Sequence, residues 1–301
     1  MVIAEEDGSD IAVEYVRDLS QSHDVTEVPF YATEGYRGIV ILVDPRWSDP
    51  TFEPIMAKVK VWVEDPCGPI TGTVVTVTST EGLLAACATA ASGSTIRLAA
   101  GSYYPPLQDL VFGPYDMWGC LLVNNFTLVG AGPRETTITL ADSGPHAEFA
   151  CIWTYGSAKI RDLTIEGTES SIIEGLGNLE LCNVEVIAEH IDSTALEFYP
   201  WDSGGYSLTV KDCVFTGSKY SDGIYLDSGG NPAGVSITAE ITDSRFAGWD
   251  TAINYDNDPA GCEHGPINVT VDCDGFSNNE EYNVLECTCV PDSCIERCPN
   301  K

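Results

Sequence analysis

Apolar and polar residues alternate with period two along much of the chain, in runs too short for helices and closed by Gly, Pro, Asn or Asp. In Ala57 to Glu64, Val59, Val61 and Val63 alternate with Lys58, Lys60 and Trp62, the pattern of a half-buried strand. Gly38 to Val43 predicts a partner strand ended by Asp44-Pro45. Residues 1–66 are therefore expected to form a small β domain or β arm, and 67–77, opening with Cys67-Gly68-Pro69, a linker. Ser79-Thr80-Glu81-Gly82 before Leu83, Leu84, Ala86 and Cys87 predicts a capped short helix, placed to cover the open end of a sheet.

Further on, the alternation becomes an internal repeat. Ile160, Leu181, Val210, Ile241 and Val271 align in one apolar column, and Ile165, Val186, Phe215, Phe246 and Phe276 in a second. Between the columns stand Asp162, Asn183, Asp212 and Asp243, with Cys273 at the fifth position. A turn of roughly 20 to 30 residues with two short apolar columns cannot bury a core alone and must stack on its neighbours. An Asx between the columns suits a fixed bend, because its side chain can bond nearby backbone groups. The expected fold is all-β: a right-handed parallel β-helix over 78–286 with an N-terminal capping helix, the small β domain or arm before it, and a Cys-rich tail over 287–301.

Ser79 to Tyr104, with its helix, Ser94-Thr95-Ile96 and Ala99-Ala100-Gly101-Ser102-Tyr103, resembles the opening of the pectin-lyase-like right-handed β-helix superfamily. Phe126 to Pro133, followed by Thr136-Thr137-Ile138, is similar to an early coil of that superfamily. The resemblance implies the fold; the superfamily includes lyases, hydrolases, esterases, epimerases, adhesins and structural fibres. None of its enzymatic motifs carries over. Pro105 and Pro106 stand where pectin methylesterases place an acid, Glu263-His264-Gly265 lacks the first Gly of the polygalacturonase motif, and Lys211, Lys219 and Arg245 are the only cations between 195 and 260 to serve a pectate-lyase mechanism.

Charge and cysteine usage narrow the partners. With 14 Lys and Arg against 46 Asp and Glu, the formal charge of −32 repels nucleic acid and anionic membrane surfaces. No run is long and apolar enough to span a bilayer. The 12 cysteines, Cys67, Cys87, Cys120, Cys151, Cys182, Cys213, Cys262, Cys273, Cys287, Cys289, Cys294 and Cys298, are candidate disulfide partners and point to an extracellular or cell-surface location.

Candidate chemistry comes from aligning the second strand of successive coils. Leu196, Ile224 and Ile253 point inward in this alignment, so Glu197, Tyr225 and Asn254 form one outward column, and Tyr199, Asp227 and Asp256 the next. Neighbouring coils lie about 4.8 Å apart. Asp227 and Asp256 are then close enough to be a glycosidase carboxylate pair, a calcium site with Asp258, or simply a solvated acidic face. Tyr199, Trp201 and Tyr225 are candidates to stack on sugar rings, or to pack on their own loops.

Two functions follow. The one placed first is a structural or adhesive surface protein that self-associates through the N-terminal β arm or the β-helix edges into a filament or sheath, without enzymatic activity. The alternative is a secreted polysaccharide hydrolase or lyase, or a glycan-binding protein, acting at Asp227 and Asp256 with calcium as the one candidate cofactor.

Overall fold

The computed structural model describes residues 67–112, 115–140, 151–168, 171–188, 193–217, 222–228, 235–256, 265–277, 282–289 and 292–296, with residues 3–4, 10–11, 26–31, 37–42, 190, 220, 279 and 298. The chain divides into two compact units, Met1–Gly68 and Pro69–Lys301.

In the first unit, Arg37–Leu42 pairs antiparallel with Thr26–Tyr31, and Ile3–Ala4 with Asp10–Ile11. The strand expected from Gly38 is thus present and begins one residue earlier. The strand expected over 57–64 lies outside the described residues.

The second unit is a parallel β-helix whose strands stack on three faces. The first face runs Leu121–Asn124, Ile152–Tyr155, Ser171–Gly175, Thr194–Phe198, Asp222–Leu226, Thr251–Asp256 and Tyr282–Cys289, all parallel. An antiparallel strand, Asp292–Glu296, closes it. The second face begins with Val74–Val77 and Thr95–Leu98 and ends at Ile267–Val271. The third runs from Gly101–Tyr103 to Phe276–Ser277. Two of the strands, Ser157–Gly167 and Asn178–Ala188, pass from the second face to the third without a break.

That passage is made by the Asx ladder. Asp162, Asn183, Asp212 and Asp243 have φ of +57°, +53°, +52° and +52°, the left-handed region that Asn and Asp tolerate better than other side-chain-bearing residues. Asn183 Nδ2 donates to Asp162 Oδ1 at 2.7 Å, so neighbouring rungs are bonded to each other. Replacing Asn183 by Ala should cost about 1–2 kcal/mol through left-handed strain alone. Asn183→Gly should cost less, and equal urea midpoints for the two variants would show that the bend is not strained. At the last coil a short 3-10 turn, Cys273–Gly275, takes the place of the Asx, and Cys273 is joined to Cys298 by a disulfide.

The two apolar columns fill the interior. The register pairs Ile160 with Leu181, Leu181 with Val210, Val210 with Ile241 and Ile241 with Val271. It likewise aligns Ile165, Val186, Phe215, Phe246 and Phe276. The rings of Phe215 and Phe246 stack with centroids 4.8 Å apart, and those of Phe246 and Phe276 at 5.4 Å. The helix Thr80–Thr89, with Ser79 Oγ accepting from the Gly82 amide at 3.1 Å, puts Leu83 into the end of this core.

Two segment boundaries differ from the expected ones. The second face already begins at Val74, inside the expected linker, because Val74-Val75-Thr76-Val77 is a β-branched run that pairs with Thr95–Leu98. Cys287 to Cys289, assigned to a tail, continue the strand that starts at Tyr282.

Candidate functional site

The outer side of the first face bears a second apolar cluster, separate from the interior core. It is formed by Cys151, Trp153 and Leu176, with Leu110, Met117, Leu122, Tyr155, Tyr199 and Trp201 packed against them. Leu110 and Met117 come from a hairpin, Gln108–Phe112 with Tyr115–Gly119, inserted before the first-face strand of its coil. Trp153 Nε1 donates to the Trp118 carbonyl at 2.7 Å, which fixes that indole beneath the hairpin. Trp201 lies against both Trp153 and Tyr199, with ring centroids 6.4 and 5.9 Å apart.

Within this cluster lies a carboxyl group. The parallel register aligns Trp153, Glu174, Glu197, Tyr225 and Asn254 in one column across successive coils. Ile152, Ile173, Leu196, Ile224 and Ile253, one residue earlier, are buried in the interior. Period two therefore turns the Glu174 column outward, yet Glu174 is only 6% exposed. Tyr199 donates its phenolic hydroxyl to Glu174 Oε2. Burial pushes the Glu174 carboxyl up to about 7, with the charge of Glu197 adding to the rise and hydrogen bonds from Tyr199 and Cys151 opposing it. Burial, then the Glu174 charge, drive the Tyr199 phenol upward, so it stays protonated as a donor.

Glu197 is the neighbouring acid, one coil on and half-buried, and its Oε2 accepts from Ser171 Oγ at 2.7 Å. Further along, Asn254 Nδ2 donates to Asp222 Oδ2 at 3.1 Å, while burial, and secondarily the charge of Asp250, push Asp222 up to about 6. The first face thus presents Glu174, Glu197 and Asp222 beside aromatic rings, with burial raising Glu174 and Asp222.

The residues singled out from the sequence fall as follows. Tyr199 and Trp201 belong to the cluster, and Tyr225 is half-buried in the Glu197 column. Asp227 follows the strand Asp222–Leu226, half-buried, its amide bonded to the Phe198 carbonyl at 3.0 Å. Asp256 is the last residue of its strand, opposite Cys287. Asp258 lies outside the described residues, among which no group of three or more His, Cys, Asp or Glu is arranged to hold a metal ion. Glu174 is the member the sequence reading did not single out.

Of the expected disulfide partners, Cys273 and Cys298 are bonded to each other, and Cys67, Cys182 and Cys287 are also in disulfides. Cys87, Cys120, Cys151 and Cys213 are thiols instead. For Cys87 and Cys213 the surroundings are core side chains, and burial pushes both up to about 12. Cys120 and Cys151 precede the register partners Leu121 and Ile152. Cys120 packs in the interior core, whereas Cys151 packs in the outer cluster. Cys262 lies outside the described residues, and Cys289 and Cys294 occupy paired strands at the end of the first face.

No protein-family model matches the chain, and no curated protein matches it. Among solved structures it is similar to the A-module of a mannuronan C-5 epimerase from Azotobacter vinelandii, at 14% identity and a TM-score of 0.30, over 69% of this chain and 74% of that one. No helix among the described residues is long and apolar enough to cross a membrane.

Proposed function

We propose that the β-helix is an extracellular polysaccharide-active protein that binds a neutral glycan along its first face and cleaves it by acid catalysis from Glu174. The observation behind this reading is the Glu174 environment: an outward-facing acid buried in an aromatic cluster, which raises it to about 7, beside a second carboxyl group. A carboxyl with a raised pKa beside one that is hydrogen-bonded is how a single site divides acid and base roles. Glu174 protonates the glycosidic oxygen as that bond breaks and Glu197 attacks the sugar carbon; water, giving its proton to Glu174, then displaces Glu197 and leaves the new reducing end. Adjacent strands about 4.8 Å apart suit the separation of roughly 5–5.5 Å found in retaining pairs. Trp201 and Tyr199 supply apolar ring faces for sugar stacking.

The net charge selects the class of glycan. At −32 the protein repels polyuronates, whereas a neutral polymer meets no such barrier. The disulfide Cys273–Cys298 supports an oxidising, extracellular setting. The self-assembling reading has no comparable observation on this face, and the acid at Glu174 moves the glycan reading ahead of it.

A panel of neutral and uronate polysaccharides, assayed for binding and for new reducing ends, tests the proposal. Neutral chains should be bound and cleaved, with Trp201→Ala weakening binding by about fivefold, the effect of losing one stacked ring worth roughly 1 kcal/mol. Absence of binding and cleavage across the neutral polymers, or equal binding by Trp201→Ala, would remove it.

A further inference from the structure

Two stretches of the chain, Asn125-Phe126-Thr127 and Asn268-Val269-Thr270, have the Asn-X-Thr form at which an oligosaccharide can be attached to the Asn amide. So short a motif also arises by chance, and the setting of each Asn decides between them.

Asn125 is built into the fold. It stands at the bend between Leu121–Asn124 on the first face and Thr127–Val129 on the second, with a left-handed φ of +56°. Its Oδ1 accepts from the Ser157 amide at 2.9 Å, and its Nδ2 donates to Asn124 Oδ1 at 2.8 Å. The half-buried side chain lies so close to the next coil that a methyl group on Gly156 would collide with it. A branched sugar on Nδ2 would have to fit where the amide already bonds Asn124 and packs on Gly156.

Asn268 has the opposite setting. Its strand, Ile267–Val271, is the last of the second face, and no strand among the described residues pairs beyond it. Ile267 is buried in the interior, and Val269 and Val271 pack against the same core. Period two turns Asn268 and Thr270 outward on one side of the strand, and both are exposed. Across the preceding coils the register places Thr238 and then Ser207 beside Asn268, both short and exposed. The Asn268 amide thus stands in solvent among small hydroxyl side chains, with room for a bulky substituent.

We propose that Asn268 is a site of N-linked glycosylation and that Asn125 is not. The donor is an oligosaccharide carried on a lipid diphosphate, brought to the chain by a transferase of the secretory membrane. Asn268 Nδ2 attacks the anomeric carbon; the C–N bond forms as the C–O bond to the diphosphate breaks, the lipid diphosphate leaves, and the amide gives up one proton to the transferase. The disulfide Cys273–Cys298 fits passage through such a compartment. A chain modified at Asn125 would lose contacts that the bend uses, and is not expected among folded molecules. The sugar sits on the second face and leaves the Glu174 and Glu197 column of the first face clear, so the inference holds whatever that face binds.

Intact mass, followed by electron-transfer fragmentation that keeps sugars on their side chains, tests this on protein secreted by its own cells. Wild type should exceed the mass of the disulfide-bonded chain by one oligosaccharide, located on Asn268. Asn268→Gln removes the acceptor amide and Thr270→Ala the hydroxyl of the motif, and both should return to the bare mass. Thr270→Ser and Asn125→Gln should keep the sugar. The side chains of Asn268 and Thr270 are exposed, so the fold should tolerate these changes, and Thr270→Ala tests the motif without touching the acceptor. Bare Asn268 in the secreted wild type, an oligosaccharide on Asn125 of the folded protein, or a sugar that survives Thr270→Ala would overturn the proposal.

Discussion

Glu174→Gln should lower glycan cleavage by about 10³-fold, the usual worth of a positioned general acid, and at the same time make the folded chain more stable above neutral pH. The second effect follows from the direction of the shift. Glu174 is raised from 4.5 to about 7 on folding, so between those values the folded chain holds a proton that the unfolded chain has released. Stability therefore falls as pH rises through this window, and the deficit is complete above about 7. For a shift of this size it amounts to about 3 kcal/mol. Gln mimics the protonated acid, can still accept from Tyr199, and has no charge to bury. Urea midpoints should coincide for wild type and Glu174→Gln at pH 4 and diverge by pH 8, with the variant higher. Asp222, raised from 3.8 to about 6 chiefly by burial, slopes the same way and should remain in both proteins. Parallel curves across the range would mean that Glu174 is solvated and ordinary.

Truncation of the aromatic column should have the largest effect on the scaffold. Phe215 is completely buried, its ring stacked on Phe246, and its backbone pairs with coils on both sides. Phe215→Ala should cost about 4 kcal/mol, the sum of lost burial and an unfilled cavity. Because a solenoid is held by contacts between neighbouring coils, weakening one such contact should also loosen the cooperativity between its two ends. Two separated urea transitions, or one transition with a smaller m-value, are expected. A single transition with an unchanged midpoint would show that the coils repack around the gap.

Where the coils repeat closely, the sequence pattern is legible. Ile160, Leu181, Val210, Ile241 and Val271 align because each belongs to a coil with an Asx two residues on, or Cys273 in the last, and that bend resets the register at every turn. The column of Glu197, Tyr225 and Asn254 was legible for the same reason. Glu174 was hidden by its own strand. Ser171-Ile172-Ile173-Glu174-Gly175 does not alternate: Ile172 and Ile173 are both in the core, so period two gives no clear direction to the residue after them. Its environment is also non-local. The residues that bury and bond it, Cys151, Trp153, Tyr199 and Trp201, come from other coils or from loops of unequal length, and no periodicity relates them. Asp227 and Asp256 stood out because two Asp at matching positions are conspicuous in a row of letters. Burial, which separates a poised acid from a solvated one, is not written there.

The strand Asp292–Glu296 has a consequence at the scale of the whole stack. On the first face every earlier strand runs in one direction, and each edge is a template for the next coil. The final strand runs the opposite way, and Cys298, two residues beyond it, is tied back to Cys273. A strand added beyond it would meet a neighbour that runs against the direction of all the coils. At this end of the first face the amides and carbonyls along the last parallel strand are met by a strand of the same chain, and that edge is covered from within the molecule.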